Sequence, residues 1–379
     1  MADATRHYNL DMRLIAWIVA GVLLLCSVVR AEMHTYGGKD NIDKIHGYAV
    51  YFVPKGREPL ADWKERLNYY ARRIEAFHER EFAGQSKLTV EILPQPVIGK
   101  NAIAGYEFKD GDVTYNKITK ESRAAVNLDR AKGFPVVIVF ADINHCRYDD
   151  WERCCASENC KCEGHPDACR GNVERNGTEH PGSPCGGARA AYFENEHIGV
   201  GLVTADGWRV PVLGTDCVVY HEGIGHAIGL PHPEKNNANV MDLGQYFGPI
   251  SASWLEIEQK KAMGWKEVPL NKATIFSALK VKHGPVRVKA GETFTITATV
   301  DKSVSAKDVR AEIQTPDWKW KKLTKPQIEE DDKNIRYKFT VPAFDKPTPV
   351  AYRVVARTER DETEIWGYAR VMERKPEGK

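Results

Sequence analysis

The 379-residue sequence predicts an α/β layer with a twisted, mixed sheet, followed by an all-β domain. Three observations predict this. Strand-like runs alternate with helix-like stretches up to about residue 141, which is the pattern of an α/β layer. From Val268 onward the pattern changes to short alternating strands at regular spacing. Between the two, Tyr220 to Asp242 reads YHEGIGHAIGLPHPEKNNANVMD, a stretch crowded with side chains that bind metals.

In chain order, Leu14 to Val29 forms sixteen mostly apolar positions after Arg6 and Arg13. With Val29-Arg30-Ala31 as a cleavage site, residues 1–31 read as a secretory signal peptide. An uncleaved anchor is the alternative, although a membrane span needs about 20 residues. Membrane attachment is expected only in that case. Either way the rest of the chain faces an oxidising compartment, secreted or in the cell envelope. Formal net charge is +2, and residues 1–31 carry three Lys/Arg and two Asp/Glu, so the remainder is +1. So small a charge gives no electrostatic footprint for nucleic acid or acidic lipid.

His46 to Val53 (HGYAVYFV) fits a buried strand. Pro59 opens a helix in which Trp63, Leu67, Tyr70, Ile74 and Phe77 recur at spacings of four and three, forming one apolar face. Leu88 to Leu93 alternates like a strand and ends at Pro94 and Pro96. Asp112 to Lys132 is weakly helical. Phe134 to Ala141 (FPVVIVFA) is a continuous β-branched run suited to a sheet covered on both faces.

Nine cysteines include Cys26 in the signal, seven between Cys146 and Cys185, and Cys217. In an exported chain the even set of eight predicts a disulfide framework tying an insertion over residues 145–186. Eight cysteines allow 105 pairings, so none is assigned. A structural zinc cluster with His145 or His165 is the rival reading, against which stands the absence of any CxxC pair. Asn176-Gly177-Thr178 is a glycosylation sequon. His197 to Ala205 (HIGVGLVTA) then reads as a strand.

His221, Glu222, His226 and His232 lie within twelve residues. Neutral imidazole ligates zinc well, and three protein ligands with one open position is the catalytic arrangement. A carboxylate beside such a site can take a proton from the attacking water. The spacing raises a problem, because three residues separate Glu222 from His226. A regular helix turns about 100° per residue, so positions five apart diverge by roughly 140°. Two arrangements answer this. A π-bulge can absorb one extra residue, letting all three histidines converge with Glu222 as base. Alternatively the helix stays regular, Glu222 becomes the first ligand and Gly223 falls where the base belongs. The second protein would bind a metal and hydrolyse little or nothing. Thr215 or Asp216 is placed to cap this helix, and Cys217 to tether its start to the cysteine-rich insertion. Gly229 can take the positive φ that ends it and swings His232 back.

With Gly229 and with Met241 in Asn239-Val240-Met241-Asp242, the stretch resembles the metzincin zinc endopeptidases, whose signature is HExxHxxGxxH followed by a Met-turn. The first half departs from that signature by one residue. Dipeptidyl peptidase III, an unrelated family, is similar in carrying HExxxH. The resemblance covers about His46 to Trp265 and implies a zinc site of His221, His226 and His232, with Glu222 as general base. It also implies Met241 as an apolar floor under the metal. It implies a protein or peptide substrate, bound by strand addition to an exposed edge strand preceding the zinc helix, with His197–Ala205 as its counterpart. Some metzincins add a tyrosine ligand two residues after the methionine, but Leu243 stands there and Tyr246 is displaced. Matrixins look nearest and are held latent by a propeptide cysteine. About fifteen cysteine-free residues separate the cleavage site from the first strand, so no such switch is expected here.

Ser253-Trp254-Leu255-Glu256 is a capping-box pattern that starts a closing helix, with Gly264 as its stop. The domains are therefore expected at 1–31, 32–267 and 268–379. Val286–Val288, Thr293–Val300, Val309–Ile313, Ile335–Val341, Val350–Arg357 and Ile365–Met372 predict a β-sandwich of immunoglobulin or fibronectin III type without its disulfide. Trp318 and Trp320 are expected to pack rather than bind ligand. The expected function is an exported zinc endopeptidase. The alternatives are a catalytically degenerate binding or adhesion protein, and a zinc hydrolase of non-protein amides.

Overall fold

The computed structural model describes residues 32–106, 111–143, 173–175, 178–180, 188–209, 211–234, 237–268, 273–285, 288–314, 319–346 and 348–372. The expected signal segment, the sequon at Asn176-Gly177, Trp318 and the cysteines from Cys146 to Cys185 lie outside the described residues. Within them, no helix is long and apolar enough to cross a membrane.

The first layer is a mixed sheet. Strand β1 (Lys44–Val53) pairs in parallel with β2 (Lys87–Ile92), with the short β3 (Val97–Ile98) and with β4 (Phe134–Ala141). A small hairpin, β5 (Val173–Arg175) and β6 (Thr178–His180), belongs to the insertion. Strand β7 (Ala188–Phe193) runs antiparallel to β8 (Ile198–Val203), and β8 is parallel to β4. The order is β2-β1-β4-β8-β7. Expectation and structure part here. The strand HIGVGLVTA is β8, hydrogen-bonded on both sides, so the edge next to it is β7. The apolar content of β8 fits this, since a strand paired on both edges and covered on both faces carries few polar side chains.

Side chains alternate across the sheet. Ile45, Ala49, Tyr51 and Val53 of β1 and Val136, Ile138 and Phe140 of β4 enter one core. Val50, Phe52, Val137, Val139, Val200 and Leu202 enter the other, with Tyr115 and Ile118 of helix α2 (Gly111–Arg123). The weakly helical Asp112–Lys132 is thus a helix that stops at Arg123, with one further 3-10 turn at Leu128–Arg130.

Helix α1 (Trp63–Phe82) covers the first face with the five residues its period predicts, all of them buried. It begins at Trp63, not at Pro59: Leu60 to Asp62 make a turn first, and Trp63 N–H donates to Leu60 O. Its other face is also buried. Arg66, Tyr69 and Arg73, at spacings of three and four, meet the C-terminal region.

That region follows a short turn, α3 (Ala205–Trp208), helix α4 (Thr215–Tyr220), helix α5 (Ile257–Ala262) and α6 (Ile275–Ala278). The closing helix α5 starts later than expected. Its capping box joins Glu256 and Gln259, whereas Ser253 Oγ donates to Ala238 O and so does not cap it. Gly264 takes φ +88° at its end.

Two further sheets complete the chain. One has the order β10-β17-β16-β12-β13 (Val288–Lys289, Glu362–Met372, Thr348–Arg357, Asp308–Gln314 and Trp320–Lys322). The other is β14-β15-β11-β9 (Gln327–Glu330, Asn334–Val341, Phe294–Asp301 and Leu279–Gly284). All pairs are antiparallel except β10 with β17. Inward residues of both sheets, such as Ile296, Ala298, Ala311, Ile313, Val354 and Ile365, share one core. This is consistent with a sandwich. Strands β9, β13 and β14 were not expected, although Leu279 and Val281 alternate with Lys280 and Lys282 in the way a half-buried strand should.

The described residues from Glu32 onward form one compact unit. The two regions are joined along α1. Tyr69 stacks on Trp366 at 4.7 Å, and its hydroxyl accepts the Trp366 N–H at 3.0 Å. Arg353 pairs with both Glu65 and Glu312, and Trp320 Nε1–H donates to Glu65. Trp320 therefore packs in the joint, as expected for a structural tryptophan.

Candidate metal centre

Helix α4 is six residues long and runs straight into the ligand stretch. Its start differs from expectation. The cap is Gly214 at φ +92°, with no side-chain cap. Thr215 Oγ1 donates back to Val212 O, and Asp216 turns inward to accept from Arg73 Nε and from Ile250 N–H, both at 2.9 Å. Cys217 is a buried free thiol beside Gly248 O, 3.7 Å away, so it does not tether the helix to the insertion. Burial pushes that thiol far above its ordinary pKa. Cys217 is therefore not a member of the expected framework of eight paired cysteines, and the other seven lie outside the described residues.

At His221 the helix widens. Residues His221–Gly225 form a π-turn, in which His226 N–H donates to His221 O five residues back. This is the first of the two arrangements: the extra residue is taken up as a bulge. A single 3-10 turn follows over His226–Ile228, and Gly229 at φ +87° ends it. Leu230 N–H then reaches back to Gly225 O at 2.9 Å, closing the helix end. The reversal delivers His232.

The three Nε2 atoms form a triangle. His221 and His226 are 3.0 Å apart, His226 and His232 3.0 Å, and His221 and His232 3.2 Å. His226 Nδ1 donates to Leu230 O at 2.7 Å, which leaves Nε2 as a lone pair in the neutral ring. The backbone of Val240 holds His221 in the same way. Burial, then the charges of His226 and His232, push the His221 pKa down to about 3. His226 is also lowered, mainly by burial. Neutral imidazoles aimed at one point, two of them fixed by backbone carbonyls, are a donor set for a cation. The triangle is small enough for all three nitrogens to reach one ion at about 2.0–2.1 Å. These three histidines lie close enough together to bind a metal ion.

Glu222 is not part of that ligand group. Burial raises its carboxyl to about 7, opposed by Arg189 on the edge strand β7. Met241, fully buried, sits under the π-turn, where a Cβ on Gly225 would run into its thioether. Asn239 builds the turn that presents it, accepting Met241 N–H at 2.7 Å and donating to Gln259 at 3.1 Å.

Three supports escaped the sequence reading. Gly199 and Gly201 of β8 lie under the turn: a Cβ at Gly199 would strike Ala227 O, and one at Gly201 would strike Glu222 O. The G-x-G inside a strand just before the HExxxH stretch was the available signal, since strand glycines mark close backbone approach. Next, Tyr220 O–H donates to His78 Nδ1 at 3.0 Å, and His78 Nε2–H meets Ser86 Oγ at 2.9 Å. Ser86 in turn donates to Ile42 O, so these two donors fix the His78 tautomer. Finally, Tyr36 N–H donates to Ile228 O at 2.9 Å, holding the N-terminal segment against the end of the turn. None of these residues belongs to the motif.

Neither protein-family models nor curated proteins match this chain.

Proposed function

We propose that this protein is an exported zinc endopeptidase of the metzincin type, whose extra motif residue is absorbed in the π-turn. The carrying observation is that the Nε2 atoms of His221, His226 and His232 converge while Glu222 stays outside the triangle. A ligand triad with a separate carboxylate is the division of labour that metal-assisted hydrolysis needs.

The metal, when held by three neutral imidazoles with one open position, supplies Lewis acidity, lowering the pKa of a water and polarising a carbonyl. Glu222 takes the proton from that attacking water on a carboxylate oxygen and later hands it to the leaving amine. Its partly buried position suits both duties, because a carboxyl raised to about 7 exchanges protons readily near neutrality. Among the described residues β7 is paired only with β8, and its other side would offer backbone groups to an extended peptide, giving affinity by strand addition. That role moves from the expected His197–Ala205 to Ala188–Phe193. Export rests on the Leu14–Val29 stretch, and the C-terminal sheets are read as a sandwich of immunoglobulin or fibronectin III type.

The reading of a catalytically degenerate binding protein would gain from Glu222 among the ligands and His221 turned away, and this geometry lends it neither support. The test is Glu222→Gln. Zinc content should stay near one per chain, and cleavage of a denatured protein substrate should fall by at least about 100-fold. Undiminished cleavage removes Glu222 as base, and a wild-type chain that takes up no zinc removes the hydrolase.

A further inference from the structure

We propose that the C-terminal sheets are part of the metal centre's support, and that Arg73 is the positioning residue through which they act. The inference rests on the three-histidine metal site but not on proteolysis.

Helix α4 is too short to be stable alone, since isolated helices below about 12–15 residues are marginal in water. It lacks a side-chain cap and ends where the ligands begin. Its placement must come from tertiary contacts, of which Tyr220 to His78 holds its far end and the buried ion pair of Asp216 holds its start. Arg73 meets Asp216 with Nε at 2.9 Å and spends the rest of its fork elsewhere. Nη2 donates to Ser251 Oγ at 3.0 Å, in the segment between Met241 and the closing helix. Nη1 donates to Thr363 Oγ1 at 3.2 Å, on β17 of the C-terminal sheets. The guanidinium also lies over Phe276 of α6, 4.5 Å from the ring centroid. Arg73 and Asp216 are 2% and 1% exposed.

One planar group thus fixes four elements at once: α1, the metal helix α4, the segment after Met241 and the C-terminal sheets. Lysine cannot reproduce this, because its point charge can follow Asp216 but cannot present three donors in a fixed fork. Buried ion pairs add little stability over apolar packing, so stability alone does not account for this one. What the fork does supply is register. Asp216 lies five residues before His221, on the same continuous run of helix and π-turn, so a shift of Asp216 is carried to the ligand triangle. The C-terminal sheets close the arrangement through Tyr69–Trp366 and Arg353–Glu65, which keep α1 from moving independently.

The test compares the full-length wild type with Arg73→Lys and Thr363→Val. Cobalt(II) serves as a spectroscopic probe of coordination, and competition with a chelator measures zinc affinity. Arg73→Lys should change the cobalt d–d spectrum and weaken zinc binding by up to about tenfold, the lower end of what loss of a group bonded directly to a ligand costs, because Arg73 acts through Asp216. Thr363→Val, far from the metal in sequence, should move both in the same direction by a smaller factor. Loss of thermal stability with wild-type cobalt spectra and wild-type zinc affinity would mean a merely structural ion pair and overturns the proposal. If Arg73→Lys does not fold, Thr363→Val decides by the same two outcomes. A wild type that binds neither metal takes down the metal-site reading itself, whereas metal-loaded wild type with unmoved variants sinks this inference alone.

Discussion

Between His221 and His226 the chain stays helical but widens by one residue; between His226 and His232 it leaves the helix altogether. Both spans end with an imidazole at the same point, by different means. The first span is set by what lies beneath it. It rests on the backbone of β8 at Gly201 and on the Met241 side chain, so its shape belongs to the sheet as much as to the helix. The second is set mainly by its own backbone, through one positive φ at Gly229 and a reach-back from Leu230. The difference teaches that irregular backbone can be held from outside or from within, and substitutions should separate the two.

The largest effect is expected from Gly201→Ala. The new methyl would collide with the carbonyl of Glu222, which is backbone and cannot step aside. Overpacking of this kind costs about 1–3 kcal/mol and sometimes more. Urea denaturation should show that loss, and zinc content should fall with it. A variant that folds and binds zinc normally would mean the first span is not held by the sheet.

Gly229→Ala should cost less, about 1–2 kcal/mol for a left-handed residue with a Cβ. Here the methyl would also approach Tyr36 O at 2.8 Å. Its main effect should be on His232, seen as weaker zinc binding with the first two ligands intact. Intermediate in size is a pH effect on the first span's anchor. Burial holds His78 at about 3, well below its unfolded value near 6.5. Between those values the unfolded chain binds the extra proton, so stability is full above about pH 6.5 and declines as pH falls toward 3. The slope attributable to His78 is at most about 1.4 kcal/mol per pH unit. Chemical denaturation from pH 7 to 4 should show a shallower decline in His78→Gln than in wild type. The smallest effect is expected from Met241→Leu, under about 1.5 kcal/mol, since the volume is kept and the thioether is not a ligand. Loss of zinc in that variant would make Met241 more than a floor.

Much of this was legible in the residues, and unevenly so. Phe134–Ala141 was readable to the residue, because a fully buried strand has little else it can be. The apolar face of α1 followed from its period. Its opposite face did not, because Arg66 and Arg73 look like solvated charges until Asp216, Gln314 and Thr363 arrive from distant parts of the chain. His226 and His232 were legible as candidate ligands under either arrangement, but whether His221 or Glu222 completes the set turned on the choice between a bulge and a regular helix. That choice depends on Gly199, Gly201 and Met241, and periodicity carries no information about such contacts. The caps failed for a related reason. Thr215, Asp216 and Ser253 have capping chemistry, yet each is drawn to a partner outside its own helix. The edge strand was misplaced by one position because β7 lies just after the insertion, where its short run ARAAYF carries little pattern of its own.

At Gly199 and Gly201 main chain rests on main chain, with no layer of rotatable side chains to cushion the contact. Breathing of the central sheet should therefore pass undamped to the histidine rings, and the amides of Ile224 to Ala227 should exchange with deuterium at the pace of β8 rather than at the pace of the surrounding loops.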